Sequence, residues 1–143
     1  MSAETFSNPK LSETEFSEIK KQGFNRVPLV REVLADLDTP LSTYLKLANA
    51  PYSYLFESVH GGEKWGRYSI IGLPCKKVIK ISGHEISEYE NEQLIRQQTV
   101  DDPLQWIDDY QSQFKVYDDE ELPRFTGGLV GYFGYDTIRY IEP

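Results

Sequence analysis

Short β-forming segments separated by brief turns constrain this fold more than any other feature of the sequence. Four of them lie at residues 67–71, 77–82, 84–89 and 93–96, with turn residues such as Gly72, Pro74, Gly83 and Asn91 between them. Runs of β-branched and alternating residues bounded by such breakers predict strands. Because connections this short cannot carry a parallel crossover, we expect antiparallel pairing.

Helices are predicted on both sides of these strands. Ser12 and Glu15 form a capping box and Gly23 supplies a C-terminal stop, so a short helix is expected between them. Asp38 and Thr39 before Pro40 predict a helix at about 40–49, and Asp102 before Pro103 predicts another. Residues 52–59 predict a further strand, and residues 26–34 a strand start or sheet edge. The fold class is therefore α+β, a mainly antiparallel sheet with helices packed outside.

Composition excludes several classes of protein. The 143 residues carry 15 Lys and Arg against 23 Asp and Glu, a net charge of −8, which disfavours nucleic acid and anionic membranes as partners. The single cysteine, Cys75, excludes an internal disulfide, and no apolar run is long enough to span a membrane. These features predict a cytoplasmic protein.

Residues 125–136 are dense in aromatic residues and glycine and predict a strand followed by a turn. Their glycine spacing is not that of a dinucleotide-binding loop. Because glycine has no side chain, another layer of a larger protein could instead approach this backbone closely. We therefore expect a lead-in with a helical strap at 1–25 and one domain at 26–143 that is truncated before a further region.

Candidate catalytic groups are few. His60 and His84 lie in no recognisable triad, and both are typical of residues in or near turns. Cys75, beside two lysines, is interpreted as a packed side chain and not as a nucleophile. The acidic stretch at 101–121 is interpreted as a solvated surface, with a docking surface as the alternative.

A candidate amino-acid site lies on two neighbouring predicted strands. Glu57 could accept from an ammonium group, Arg67 or a serine hydroxyl could donate to a carboxylate, and aromatic residues nearby could form an apolar wall. The alternative is a cross-strand Glu57–Arg67 pair on the sheet surface. In a regular strand Glu57 and Ser58 face opposite sides, so both serve one ligand only through a bulge, a strand end or a backbone contact.

At these residues the sequence resembles the N-terminal region of anthranilate synthase component I. The motifs that carry the resemblance are VPLVRE at 27–32, DLDTP at 36–40, LFES at 55–58, GRYSIIG at 66–72, and LPRFTGGLVGYFGYD at 122–136 with Arg139.

The resemblance implies part of the architecture of chorismate-utilising enzymes. It implies a parent lyase that converts chorismate and ammonia to anthranilate and pyruvate in tryptophan biosynthesis, with ammonia from a glutamine amidotransferase subunit. Chorismate and magnesium would bind in a C-terminal region that this sequence lacks, so the resemblance implies no catalytic residue and no cofactor here.

The resemblance also implies that residues 55–58 belong to a feedback site for tryptophan. Glu57 and Ser58 carry over from that motif, while Arg67, Tyr68 and Ser69 match the neighbouring strand. Phe56 stands where the family motif has leucine. Aminodeoxychorismate synthase, of the folate branch, is the nearest rival, followed by the salicylate and isochorismate synthases. A stand-alone module for small-molecule binding or subunit docking is the remaining alternative.

Overall fold

The computed structural model describes residues 11–57, 68–120, 122–123 and 125–142. Its helices and strands follow in this order: α1 (Glu13–Lys21), α2 (Pro40–Leu47), β1 (Tyr54–Glu57), β2 (Ser69–Gly72), β3 (Lys77–Ser82), β4 (Glu85–Glu90), β5 (Gln93–Thr99), α3 (Pro103–Ser112) and a 3₁₀ helix (Tyr135–Tyr140). The strands form antiparallel sheets, which confirms the α+β class.

The chain divides into two compact units. Unit 1 consists of Met1–Leu34 together with Asp102–Pro143, and unit 2 is the continuous segment Ala35–Asp101. Unit 1 therefore combines the segments that precede and follow unit 2 in the sequence. The boundary expected near residue 25 stays a prediction.

Unit 2 holds the described sheets. One pairs β1 with β2, and the other has the order β3-β4-β5, with β4 in the centre. The short turns after β3 and β4 make these strands neighbours, as the sequence predicts. Ile86 on the central strand is fully buried. A bulge interrupts the β4–β5 register, because Glu88 pairs with Arg96 while Tyr89 pairs with Leu94.

Helix α2 begins at the predicted Pro40 and packs against β1 and β2. The backbone N–H of Thr39 donates to Ser42 Oγ, and that of Ser42 donates to Thr39 Oγ1. Hydrogen bonds from Lys46 and Ser42 hold the pKa of Asp38 below its ordinary value. The hydroxyls of Tyr44 and Ser53 lie 3.0 Å apart, which ties the helix to the segment before β1.

Gly72 at the end of β2 is required by packing. It pairs with Tyr54, whose ring covers the space that a side chain at Gly72 would occupy. The same ring lies 4.8 Å from that of Phe56, between centroids. An aromatic ring over a glycine on the opposite strand is a known way to fix strand register.

Replacing Gly72 with Ala is therefore expected to lower the free energy of unfolding by about 1–3 kcal/mol, the usual cost of overpacking. The midpoint of urea denaturation measures this change. Gly131→Ala is the matched control, because a methyl group at Gly131 meets nothing within 4 Å. Equal midpoints for the two variants would contradict this account of Gly72.

The turn between β4 and β5 carries two residues in the left-handed region. Asn91 has φ 50° and Glu92 has φ 65°, the signs required for a two-residue type I′ hairpin turn. Asparagine tolerates this conformation well, whereas glutamate does not. The second position of such a turn favours glycine.

Glu92→Gly is expected to raise the free energy of unfolding by about 0.5–1 kcal/mol, since the strain removed exceeds the backbone entropy that glycine adds. Thermal or urea unfolding measures it. Glu90→Gly, at the last residue of β4, where φ is not positive, is the control and should destabilise the chain. A loss of stability in both variants would refute the strain at Glu92.

Unit 1 joins distant parts of the sequence. Asn25 Nδ2 donates to the carbonyl of Gln113, and the N–H of Lys115 donates to Asn25 Oδ1. The Arg26 guanidinium lies 4.7 Å from the centroid of the Phe114 ring. Helix α1 has the predicted capping box, and hydrogen bonds from Ser12 lower the pKa of Glu15.

Two predicted strands in unit 1 are wrong. In the segment 26–34 only Arg26 makes a β-bridge, a parallel one to Val116, and Pro28 cannot donate to a ladder. Residues 125–134 pair with no described strand and lead into the 3₁₀ helix. Gly127 and Gly128 have φ near 140°, a backbone conformation that regular strands do not adopt.

Few apolar side chains are fully enclosed. Among the described residues, Ile19, Ala48 and Ile86 are the buried hydrophobic ones. Large apolar side chains stay exposed in the segment 125–141, among them Tyr132, Phe133, Tyr135 and Ile141. Within the described ranges no helix is long and apolar enough to cross a membrane.

Candidate functional site

The end of the β1–β2 pair at which the chain passes from β1 to β2 carries the predicted site. Glu57 is the last residue of β1 and pairs with Ser69, the first residue of β2. Side chains of directly paired residues lie on the same face of a sheet. The carboxylate of Glu57 and the hydroxyl of Ser69 therefore share one face.

Two aliphatic residues extend this face. Leu55 pairs with Ile71, one step of the strand period away from the Glu57–Ser69 pair. Both are half-buried, whereas Glu57 and Ser69 are exposed. We call these four residues the Glu57 face. It combines an acceptor for a cation, a hydroxyl and an apolar wall.

The opposite face of the same strands is aromatic. Tyr54 and Phe56 lie there, with Ile70 as the partner of Phe56. Phe56 thus points away from Glu57. The departure from leucine that the resemblance implies would therefore affect the far side of β1.

The other predicted site residues are only partly described. Tyr68 directly precedes β2 and is 73% exposed. Ser58 and Arg67 lie outside the described residues, as does His60. The alternative Glu57–Arg67 surface pair therefore stays a prediction, as does a shared ligand of Glu57 and Ser58.

The remaining candidates have local structural roles. Cys75 is exposed, so its interpretation as a packed side chain is wrong, and its thiol donates to the carbonyl of Lys77 at 3.0 Å. His84 Nδ1 lies 3.0 Å from the carbonyl oxygen of Val100. In the part of the chain that the structure describes, no group of three or more His, Cys, Asp or Glu side chains could hold a metal ion.

Sequence reasoning missed a cavity at the other end of the same strand pair. It is lined by residues that include Tyr52, Lys76, Asn91 and Glu92. The only sequence signal was two turn dipeptides, Pro51-Tyr52 and Asn91-Glu92, which predict turns and not a cavity.

Sequence comparison finds similar bacterial proteins that are named anthranilate synthase component 1. The chain is 54% identical to the one from Neisseria meningitidis serogroup B over 132 residues, 92% of this chain and 27% of that protein. It is 52% identical to the Pseudomonas putida protein over the same shares. It is 41% identical to the Aquifex aeolicus protein over 88% of this chain and 26% of that protein.

These matches identify the chain as homologous to part of an enzyme component. Over the residues that it spans, it is similar to the N-terminal part of these proteins, as its motifs predict. The chain spans about a quarter of the length of the curated relatives it matches. No family model matches the sequence. No solved structure matches it either.

Proposed function

We propose that this chain is the N-terminal regulatory and structural part of an anthranilate synthase component 1. The parent enzyme would convert chorismate and ammonia, supplied from glutamine by an amidotransferase subunit, to anthranilate and pyruvate. The observation that carries the proposal is 54% identity over 132 residues to a protein of that name. Such identity over nearly the whole chain supports a common role for this part of the molecule.

Within that role, the Glu57 face would hold part of a feedback site for tryptophan. The Glu57 carboxylate would accept hydrogen bonds from the ammonium group of the amino acid. A serine hydroxyl, from Ser69 on the same face or from Ser58 beyond the strand, would donate to its carboxylate. The apolar wall of Leu55 and Ile71 would cover part of the indole ring.

Arg67 and Tyr68 would complete this site from the segment that enters β2. A guanidinium is the natural partner for the carboxylate of a bound amino acid, because it donates two parallel hydrogen bonds. The exposed Tyr68 could stack on or donate to the ligand. Phe56 lies on the far face, so its departure from the motif would leave the ligand-facing side of β1 unchanged.

The reacting groups would belong to the rest of a longer chain. Chorismate and its metal ion would bind in the C-terminal region that the resemblance implies. The exposed aromatic residues at 132–135 support this division, because apolar patches of this kind usually mark a surface that another part of a protein covers.

A full-length protein that contains this sequence is expected to form anthranilate and pyruvate in equal amounts from chorismate, ammonia and Mg²⁺. Anthranilate fluorescence and a coupled pyruvate assay measure the two products. Formation of aminodeoxychorismate without release of pyruvate would assign the protein to the folate branch. No turnover by a folded full-length protein would refute the proposed parent activity.

A further inference from the structure

A cavity of about 390 Å³ lies at the end of the β1–β2 pair that is remote from Glu57. Three segments form it: residues 50–52 before β1, residues 74–76 between β2 and β3 together with Val78 of β3, and the turn residues 91–92. The N–H of Cys75 donates to the carbonyl of Tyr52 at 3.1 Å, and the N–H of Asn91 donates to that of Lys76 at 2.9 Å. The middle segment is thus tied to both of the others, which gives the cavity a fixed frame.

The lining combines opposite charges with apolar surface. Lys76 and Glu92 supply an ammonium and a carboxylate, and neither makes an ion pair with another described residue. Asn91 adds an amide that can donate and accept. Val78 and the ring of Tyr52 contribute the apolar part.

The backbone at this cavity contains non-glycine residues with positive φ, a conformation that costs stability. Among the described residues, those other than glycine with positive φ are Tyr52, Asn91 and Glu92, and all three line the cavity. Tyr52 has φ 59° directly after Pro51, the position of a type II turn that favours glycine or asparagine. A tyrosine and a glutamate thus occupy positions where glycine would fold more easily. Strained backbone positions of this kind cluster at binding and active sites.

We propose that this cavity binds a free α-amino acid with an apolar side chain. Lys76 binds the carboxylate of the ligand, Glu92 binds its ammonium group, and Tyr52 and Val78 pack against its side chain. The volume lies in the range of small-molecule sites, and Lys76 and Glu92 carry the two signs of charge that complement a zwitterion. The cavity is separate from the Glu57 face, so this inference does not rest on the proposed feedback site.

The first test is an NMR titration of the ¹⁵N-labelled chain with L-phenylalanine, 2-phenylethylamine and 3-phenylpropionate. The amine lacks the carboxylate and the acid lacks the ammonium group. We expect L-phenylalanine to cause saturable shifts at amides of residues 52, 75–78 and 91–92, and each analogue to bind at least about tenfold more weakly. Equal binding of the three compounds, or no saturable shift at these amides, would overturn the proposal.

Variants then test the assigned side chains. Lys76→Met and Glu92→Gln should each weaken L-phenylalanine at least about tenfold. Lys77→Met and Glu85→Gln are matched controls, since these exposed residues do not line the cavity. Glu92→Gly separates ligand binding from structure, because it should raise the melting temperature while weakening the ligand. Undiminished binding in Glu92→Gly, or equal weakening in the controls, would refute the roles assigned here.

Discussion

Glu57→Gln and Ser58→Ala, each made in the full-length protein, are expected to weaken inhibition by tryptophan about 10- to 150-fold. Each variant removes a hydrogen-bonding group that the proposed site directs at a charged part of the ligand, a loss of roughly 1.5–3 kcal/mol. The kcat and the KM for chorismate without tryptophan should stay within a few-fold, since the effector site contacts no reacting atom. Initial rates of anthranilate formation over a tryptophan series measure both quantities.

Glu85→Gln is the matched control for this experiment. Glu85 is also an exposed glutamate at a strand end that pairs with a serine, Ser82, across an antiparallel ladder. Its removal should leave the inhibition curve in place. Unchanged sensitivity in both site variants would favour the Glu57–Arg67 surface pair, and a collapse of uninhibited kcat in folded variants would assign Glu57 or Ser58 to catalysis.

The chain of 143 residues by itself is expected to form no anthranilate from chorismate, Mg²⁺ and ammonia. Its described residues offer no cluster for a metal ion, and Cys75 and His84 are engaged with backbone carbonyls. General acid–base and electrostatic catalysis require groups placed at the reacting atoms. We therefore expect anthranilate fluorescence to increase with the full-length protein and to stay at the uncatalysed background with the 143-residue chain.

Two controls make this result decisive. The full-length protein assayed in parallel shows that substrate and metal are active, and circular dichroism shows that the shorter chain is folded. Anthranilate formed in proportion to the concentration of a preparation free of the full-length enzyme would contradict the prediction.

The sequence predicted best what is decided locally. The strand at 77–82 and the starts of α1, α2 and α3 are where the sequence places them, because caps, prolines and turn residues act within a few positions. The strand predicted at 52–59 also implies, by its period of two, that Leu55 shares a face with Glu57 and Tyr54 with Phe56, as observed. The residues of β1 that form the Glu57 face could therefore be predicted from the sequence.

Features that depend on contacts between distant parts of the chain could not be predicted from the sequence. Residues 26–34 and 125–134 contain β-forming residues, but no described strand pairs with them beyond the bridge at Arg26. The cavity was missed for the same reason, since Tyr52 and Lys76 come together only when hydrogen bonds join their segments. Turn residues predict a change of direction, and the sequence does not say which turns meet.

The division of the chain also sets the order in which its parts can form during synthesis. Unit 2 is continuous, and its sheets pair strands that follow one another closely along the chain. In unit 1, by contrast, the hydrogen bonds of Asn25 reach partners 88 and 90 residues away. Closing so long a loop costs more entropy than closing a hairpin. A ribosome therefore synthesises all of unit 2 before it makes the partners of Asn25, and the first segment of unit 1 can form these hydrogen bonds only afterwards.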